Sequence, residues 1–148
     1  MVLLQKRADT KESYPGLFDA SAAGHVSAGE SCVQAALRET REELGVTLSE
    51  EQLRLLGVRR LCILDESRGF RSNEFNSIYL ARVDAGHCQI HPSPDEISSV
   101  IWVDVGTLRA DLEASVPGYC VAPEELHMVE AALMSAPEKA VSENEPVF

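Results

Sequence analysis

Gly24-His25-Val26-Ser27-Ala28-Gly29-Glu30-Ser31-Cys32-Val33-Gln34-Ala35-Ala36-Leu37-Arg38-Glu39-Thr40-Arg41-Glu42-Glu43-Leu44-Gly45-Val46 is the stretch whose reading decides the rest of this 148-residue chain. Ser31 is a preferred N-cap residue and Gly45 suits the left-handed position after a helix, which predicts a helix to about Leu44. At 100° per residue, Val33, Ala36, Leu37, Thr40 and Leu44 fall on one side. Glu39, Glu42 and Glu43 fall together on the other, within a sector of roughly 100°. Like charges at such spacing repel by about a few tenths of a kcal/mol per pair. Arg38 and Arg41 relieve part of this. A hard divalent cation would relieve the rest, since Mg²⁺ takes carboxylate oxygens and leaves its other positions to water and phosphate. Taken alone, the cluster is more plainly read as a solvated acidic helix face.

The full spacing goes further. Gly24, Glu30, Arg38, Glu39, Glu42, Glu43, Gly45 and Val46 fit Gly-x5-Glu-x7-Arg-Glu-U-x-Glu-Glu-x-Gly-U, where U is usually aliphatic. The segment thus resembles the Nudix box, with Thr40 at the first U position as a mild departure. Seven fixed positions match by chance on the order of once in 10⁸ registers. The resemblance implies an α/β (α+β) fold, a Nudix-type α/β/α sandwich with a central mixed sheet, in which the box forms a loop-helix-loop. It implies Glu39, Glu42 and Glu43 as ligands of Mg²⁺ or Mn²⁺. It implies mainly structural roles for Gly24, Glu30, Arg38 and Gly45, with Glu30 and Arg38 fixing the loop against the helix. The bound metal would neutralise a diphosphate and lower the pKa of an attacking water. A glutamate would accept the proton, the candidates being Glu42 in the box and Glu74 or Glu96 beyond it.

Around the box the chain reads as one domain over residues 1–136 with a polar tail over 137–148. Val2–Arg7, Leu17–Val26, Leu53–Leu64, Glu74–Val83 and Ile97–Val105 read as strands. Ser49–Gln52 reads as a short helical turn, Glu66–Asn73 and Ala85–Asp95 as loops, and Thr107–Ala114 and Pro123–Ser135 as helices, Pro123 suiting a first turn. Trp102 sits in an apolar strand and reads as core. The formal net charge is −11, which repels nucleic acid. It does not repel a small anion where a bound metal reverses the local sign. No apolar run is long enough to span a bilayer, and no signal peptide is evident. The four cysteines, Cys32, Cys62, Cys88 and Cys120, lack metal or disulfide spacing. They read as reduced thiols of a cytoplasmic protein.

A second resemblance is carried by Arg7-Ala8-Asp9-Thr10-Lys11, Tyr14-Pro15-Gly16, Ser21-Ala22-Ala23-Gly24-His25, Gly29-Glu30-Ser31 and Asn73-Glu74. These segments are similar to isopentenyl-diphosphate isomerase, itself of Nudix fold. The likeness implies that Arg7 and Lys11 bind a substrate diphosphate, and it makes His25 a metal-ligand remnant or a substrate contact. It also marks a departure. The isomerase places a cysteine immediately before the box glycine, where this chain has Ala23, and alanine cannot exchange a proton. The expected activity is therefore hydrolysis of a nucleoside diphosphate derivative or similar small diphosphate. Allylic isomerisation and diphosphate binding without turnover are the alternatives. Related chains carry a further strand before the segment like Val2–Gln5; an edge left open there would favour a homodimer.

Overall fold

The computed structural model describes residues 1–65, 70–84 and 86–135. Its elements in chain order are strand β1 (Val2–Arg7), strand β2 (Phe18–Ala20), helix α1 (Cys32–Leu44), a 3-10 turn (Glu50–Gln52), strand β3 (Leu53–Asp65), strand β4 (Phe70–Ala81), strand β5 (Ile97–Val103), helix α2 (Val105–Glu113) and helix α3 (Pro123–Met134). β1 is the middle strand of a three-stranded sheet in the order β2-β1-β5. Leu4 lies opposite both Ala20 and Ile101. β3 and β4 form a separate antiparallel ribbon. All named strand pairs are antiparallel, and a bridge between Phe18 and Tyr119 adds a parallel component.

Alternation along β1 explains the layering. Successive strand side chains point to opposite faces, so an apolar run such as Val2-Leu3-Leu4 must be covered on both. Val2 and Leu4 join Leu80, Leu108, Leu126 and Ala132 in one core, beneath α2 and α3. Leu3 joins Leu44, Val46 and Ile97 in a second core, beneath the end of α1. β5 divides the same way, with Ile101 and Val103 toward the first core and Val100 and Trp102 toward the second. The result is the α/β/α sandwich implied by the sequence, with α1 on one side of the sheet and α2 and α3 on the other.

Two boundaries differ most from expectation. The strand expected over Leu17–Val26 is only Phe18–Ala20, because it pairs with just Leu4, Gln5 and Lys6 before the chain turns away into the loop leading to α1. The polar loop expected over Glu66–Asn73 gives way at Phe70, where β4 begins. There the ladder to β3 (Asp65 opposite Phe70, Leu64 opposite Arg71, Cys62 opposite Asn73) overrides a hydrophilic composition. The remainder of that loop, 66–69, and the tail, 137–148, lie outside the described residues. β1 pairs with β5 from Val2 to Arg7 and with β2 over Leu4–Lys6. Among the described residues, no helix is long and apolar enough to cross a membrane.

Candidate active site

The box helix is fixed at both ends by its own sequence. Ser31 accepts from the Gln34 N–H, and the Gln34 side chain accepts from the Ser31 N–H, forming a reciprocal capping box. At the other end Gly45 adopts φ 70° and donates its N–H to Arg41 O. A side chain there would be strained, and its Cβ would lie 3.1 Å from His91. The carbonyls left over at the end of α1 are then met by an external loop: His91 N–H donates to Leu44 O and Ser93 N–H to Glu43 O, each at 2.8 Å. Ser93 O in turn accepts from the Glu96 and Ile97 N–H groups. This chain of backbone bonds carries Glu96 from a distant part of the sequence to the glutamate end of α1.

The acidic sector of α1 is only partly solvated: Glu42 is exposed, Glu39 is half-buried and Glu43 is buried. Ala35, Glu39 and Glu43, each four residues apart, form a stripe turned toward the protein, and Glu43 is only 6% exposed. Its Oε2 accepts from Gln5 Nε2 on β1 and from the Ala23 N–H, both at 3.1 Å. These donors are neutral. Burial, reinforced by repulsion from Glu39 and Glu96, overcomes them and pushes the Glu43 carboxyl up to about 7. The stripe expected to be apolar is buried only at Leu44; Val33, Ala36, Leu37 and Thr40 are half-buried. Periodicity groups residues by angle, but which sector meets the sheet is decided by Gln5 and Ala23.

Arg38 organises the other carboxylates. Its guanidinium makes a two-pronged contact with Glu30 (Nε to Oε1 2.9 Å, Nη2 to Oε2 3.0 Å) and donates to His25 O at 2.9 Å. Its Nη1 reaches Glu39 at 2.7 Å and Glu42 at 3.1 Å. Paired guanidinium forks of this kind are directional as well as attractive. Arg38, with the Ser27 N–H, holds the Glu30 carboxyl below the ordinary glutamate value, while Glu30 foremost, then Glu39 and Glu42, keep Arg38 firmly charged. Gly24 completes the arrangement. A Cβ built on it would lie 2.0 Å from the Glu39 carboxyl, so a side chain there would have to displace Glu39 or the loop.

The remaining candidates fall into two groups. Lys11 is ion-paired with Glu96, and the turn carrying it is tied to the same residue, Ala8 N–H donating to Glu96 O at 2.9 Å. Arg7 donates to Asp19 (3.0 Å) and to Ser13 O (2.9 Å), holding the β1–β2 junction. His25 is exposed on the loop before α1. Glu74 stands on β4 opposite Leu61 and accepts from the Ser72 hydroxyl; the contacts that tie the α1 glutamates together do not reach it. Gln5 was missed by sequence reasoning. The available signal was one amide directly after the apolar run Val2-Leu3-Leu4, at a position whose alternation places it on the same face as Leu3 under α1.

The donor set suits a hard divalent ion: it is all oxygen, and one guanidinium faces three carboxylates while Glu43 meets only neutral groups. Among the described residues, however, no three acidic, histidine or cysteine side chains converge as a ready-made cage. Arg38 bridges Glu39 and Glu42, and Glu43 is turned to Gln5 and Ala23.

A two-core α/β/α sandwich with a glycine-bounded, carboxylate-bearing loop-helix-loop defines the class. A family model described as the NUDIX domain matches residues 1–132, and the chain belongs to that family. Nudix hydrolase 3 of Arabidopsis thaliana is 36% identical over 127 residues, covering 80% of this chain and 16% of the plant protein. The isopentenyl-diphosphate Delta-isomerase of Cutibacterium acnes is 32% identical over 118 residues, covering 78% of this chain and 59% of that enzyme. The chain therefore spans only part of the length of these relatives. In structure, DR0079 from Deinococcus radiodurans matches with a TM-score of 0.62 at 25% identity, over 86% of this chain and 72% of that one. A C. elegans Ap4A hydrolase shares the fold, with a TM-score of 0.59 at 22% identity, over 90% of this chain and 86% of that one.

Proposed function

We propose that this protein is a Mg²⁺- or Mn²⁺-dependent hydrolase that cleaves a diphosphate linkage in a nucleoside diphosphate derivative or a similarly small diphosphate. The observation that carries this reading is the buried Glu43 carboxyl, crowded by Glu39 and Glu96 and met only by neutral donors, beside a single guanidinium shared among three further carboxylates. Glu39, Glu42 and Glu43 would hold the ion, which when bound neutralises the diphosphate and acidifies water. The chain's own residues do the rest. Gln5 and the Ala23 N–H aim Glu43; Arg38 and Glu30 lock the loop over α1; the loop through Ser93 presents Glu96. Proton acceptance falls to Glu42, Glu74 or Glu96, of which Glu42 lies in the last turn of α1 and Glu96 is tied to its end through Ser93.

The test is release of phosphate, monophosphate or pyrophosphate from a panel of diphosphates with Mg²⁺ or Mn²⁺. Glu42→Gln and Glu43→Gln should each lower kcat by on the order of 100-fold or more. Unchanged turnover in both would reject the site. The isomerase relatives favour a second reading, allylic isomerisation. Ala23 opposes it: the position offers a backbone N–H to Glu43 and no side chain to move a proton. Incorporation of deuterium into isopentenyl diphosphate in D₂O, followed by NMR, would support isomerisation; none is expected. Tight diphosphate binding without turnover would instead mark a binding module.

A further inference from the structure

We infer that Lys11 is a resident counter-ion for Glu96, a positioning residue that competes with a divalent cation for that carboxylate. The inference rests on the reading of α1 as a metal site. Glu96 is not held by side-chain contacts alone. Its backbone is gripped from two directions, by Ser93 O accepting its N–H at 3.1 Å and by Ala8 N–H donating to its carbonyl at 2.9 Å. Lys11 is gripped by the same turn, its N–H donating to Ala8 O at 3.1 Å. Two anchored backbones thus place an ammonium on a carboxylate at a fixed spot, with both side chains partly exposed.

That spot lies at the glutamate end of α1, because Ser93 donates its N–H to Glu43 O at 2.8 Å and accepts the Glu96 N–H at 3.1 Å. Among the described residues, Glu43 itself has no cationic partner; it accepts from Gln5 and the Ala23 N–H. Lys11 is therefore the charge that allows Glu96 to sit beside the α1 carboxylates before any ion arrives. The same contact withholds Glu96 from the ion. A divalent cation that recruits Glu96 must displace the ammonium.

The consequence is a coupling readable without turnover. Mn²⁺ binding to the protein, measured by calorimetry or electron paramagnetic resonance with no diphosphate present, should tighten on the order of tenfold in Lys11→Met. Lys11→Arg, which keeps the charge, should stay near the unsubstituted protein. In a Glu96→Gln background, Lys11→Met should change the affinity by no more than about twofold, since there is no carboxylate left to release. Equal tightening with and without Glu96 would reduce Lys11 to a bystander charge and overturn the inference, as would no tightening at all. Binding that Glu43→Gln weakens but that shows no coupling of Lys11 to Glu96 would sink this inference and leave the metal site standing. Absence of Mn²⁺ binding in the unsubstituted protein would sink both.

Discussion

Single residues at this site are set by very small clearances. The Glu39 carboxyl lies where a Gly24 side chain would go, at 2.0 Å from an ideal Cβ. Gly24→Ala must therefore move either the loop or Glu39, and a displacement of about 1 Å at a reacting site costs on the order of 100-fold in rate. We expect kcat/KM for diphosphate hydrolysis to fall by that order with only a modest change in melting temperature; unchanged activity would show that Glu39 is dispensable. The cysteines separate by environment. Cys32 and Cys62 are exposed, whereas Cys120 is half-buried with its thiol near Phe18 O and is pushed up to about 12, chiefly by burial and then by Asp19. Near pH 8 its thiolate fraction is on the order of 10⁻⁴. Iodoacetamide followed by mass spectrometry should mark Cys32 and Cys62 first and Cys120 last; Cys120 reacting as fast as Cys32 would contradict the packing.

Elements were legible where their ends are written locally. Ser31 and Gly45 placed α1 within a residue of its observed span, and Pro123 placed the start of α3, because caps are short-range chemistry. β2 was not legible, since its three paired residues are chosen by the register of β1 rather than by their own preferences. The same holds for the start of β4, chosen by β3. Within the site, the box positions were legible from their spacing. The inward turn of Glu43 was not, because it depends on Gln5, thirty-eight residues away in sequence. Capping also yields measurable expectations. Ser31→Ala should cost about 1 kcal/mol, seen as a lowered urea midpoint with the slope unchanged. Asp104 caps α2 by accepting from the Thr107 N–H, which chiefly lowers its carboxyl below the ordinary 3.8. A depressed folded value stabilises the protein above the unfolded value and loses that contribution as pH falls through the folded one. Asp104→Asn keeps an acceptor but does not titrate, so the stability gap between it and the unsubstituted protein should be present at neutral pH and shrink as pH falls below the ordinary aspartate value. A gap independent of pH would exclude the charged cap.

At the scale of the whole molecule, the division into two cores predicts that stability and activity can be lost separately. Leu108 is 1% exposed and packs with Val2, Leu4 and Leu126 beneath α2 and α3. Leu44 is 0% exposed and packs with Leu3, Val46 and Ile97 beneath α1. Truncating either to alanine removes similar buried surface and leaves a cavity, so each should cost about 2–5 kcal/mol. Their effects on chemistry should differ. Leu44 adjoins Glu43, and its carbonyl accepts from His91 in the loop that presents Glu96. A cavity there lets the end of α1 and that loop shift together. Leu108 lies on the opposite side of β1, whose paired edges separate the two layers. Leu44→Ala should therefore lower kcat/KM by on the order of 100-fold, while Leu108→Ala, assayed well below its own melting temperature, should leave it within about threefold of the unsubstituted protein. Equal losses in the two variants would mean that the layers move as one body, and that the glutamates are held by the fold at large rather than by the contacts beneath α1.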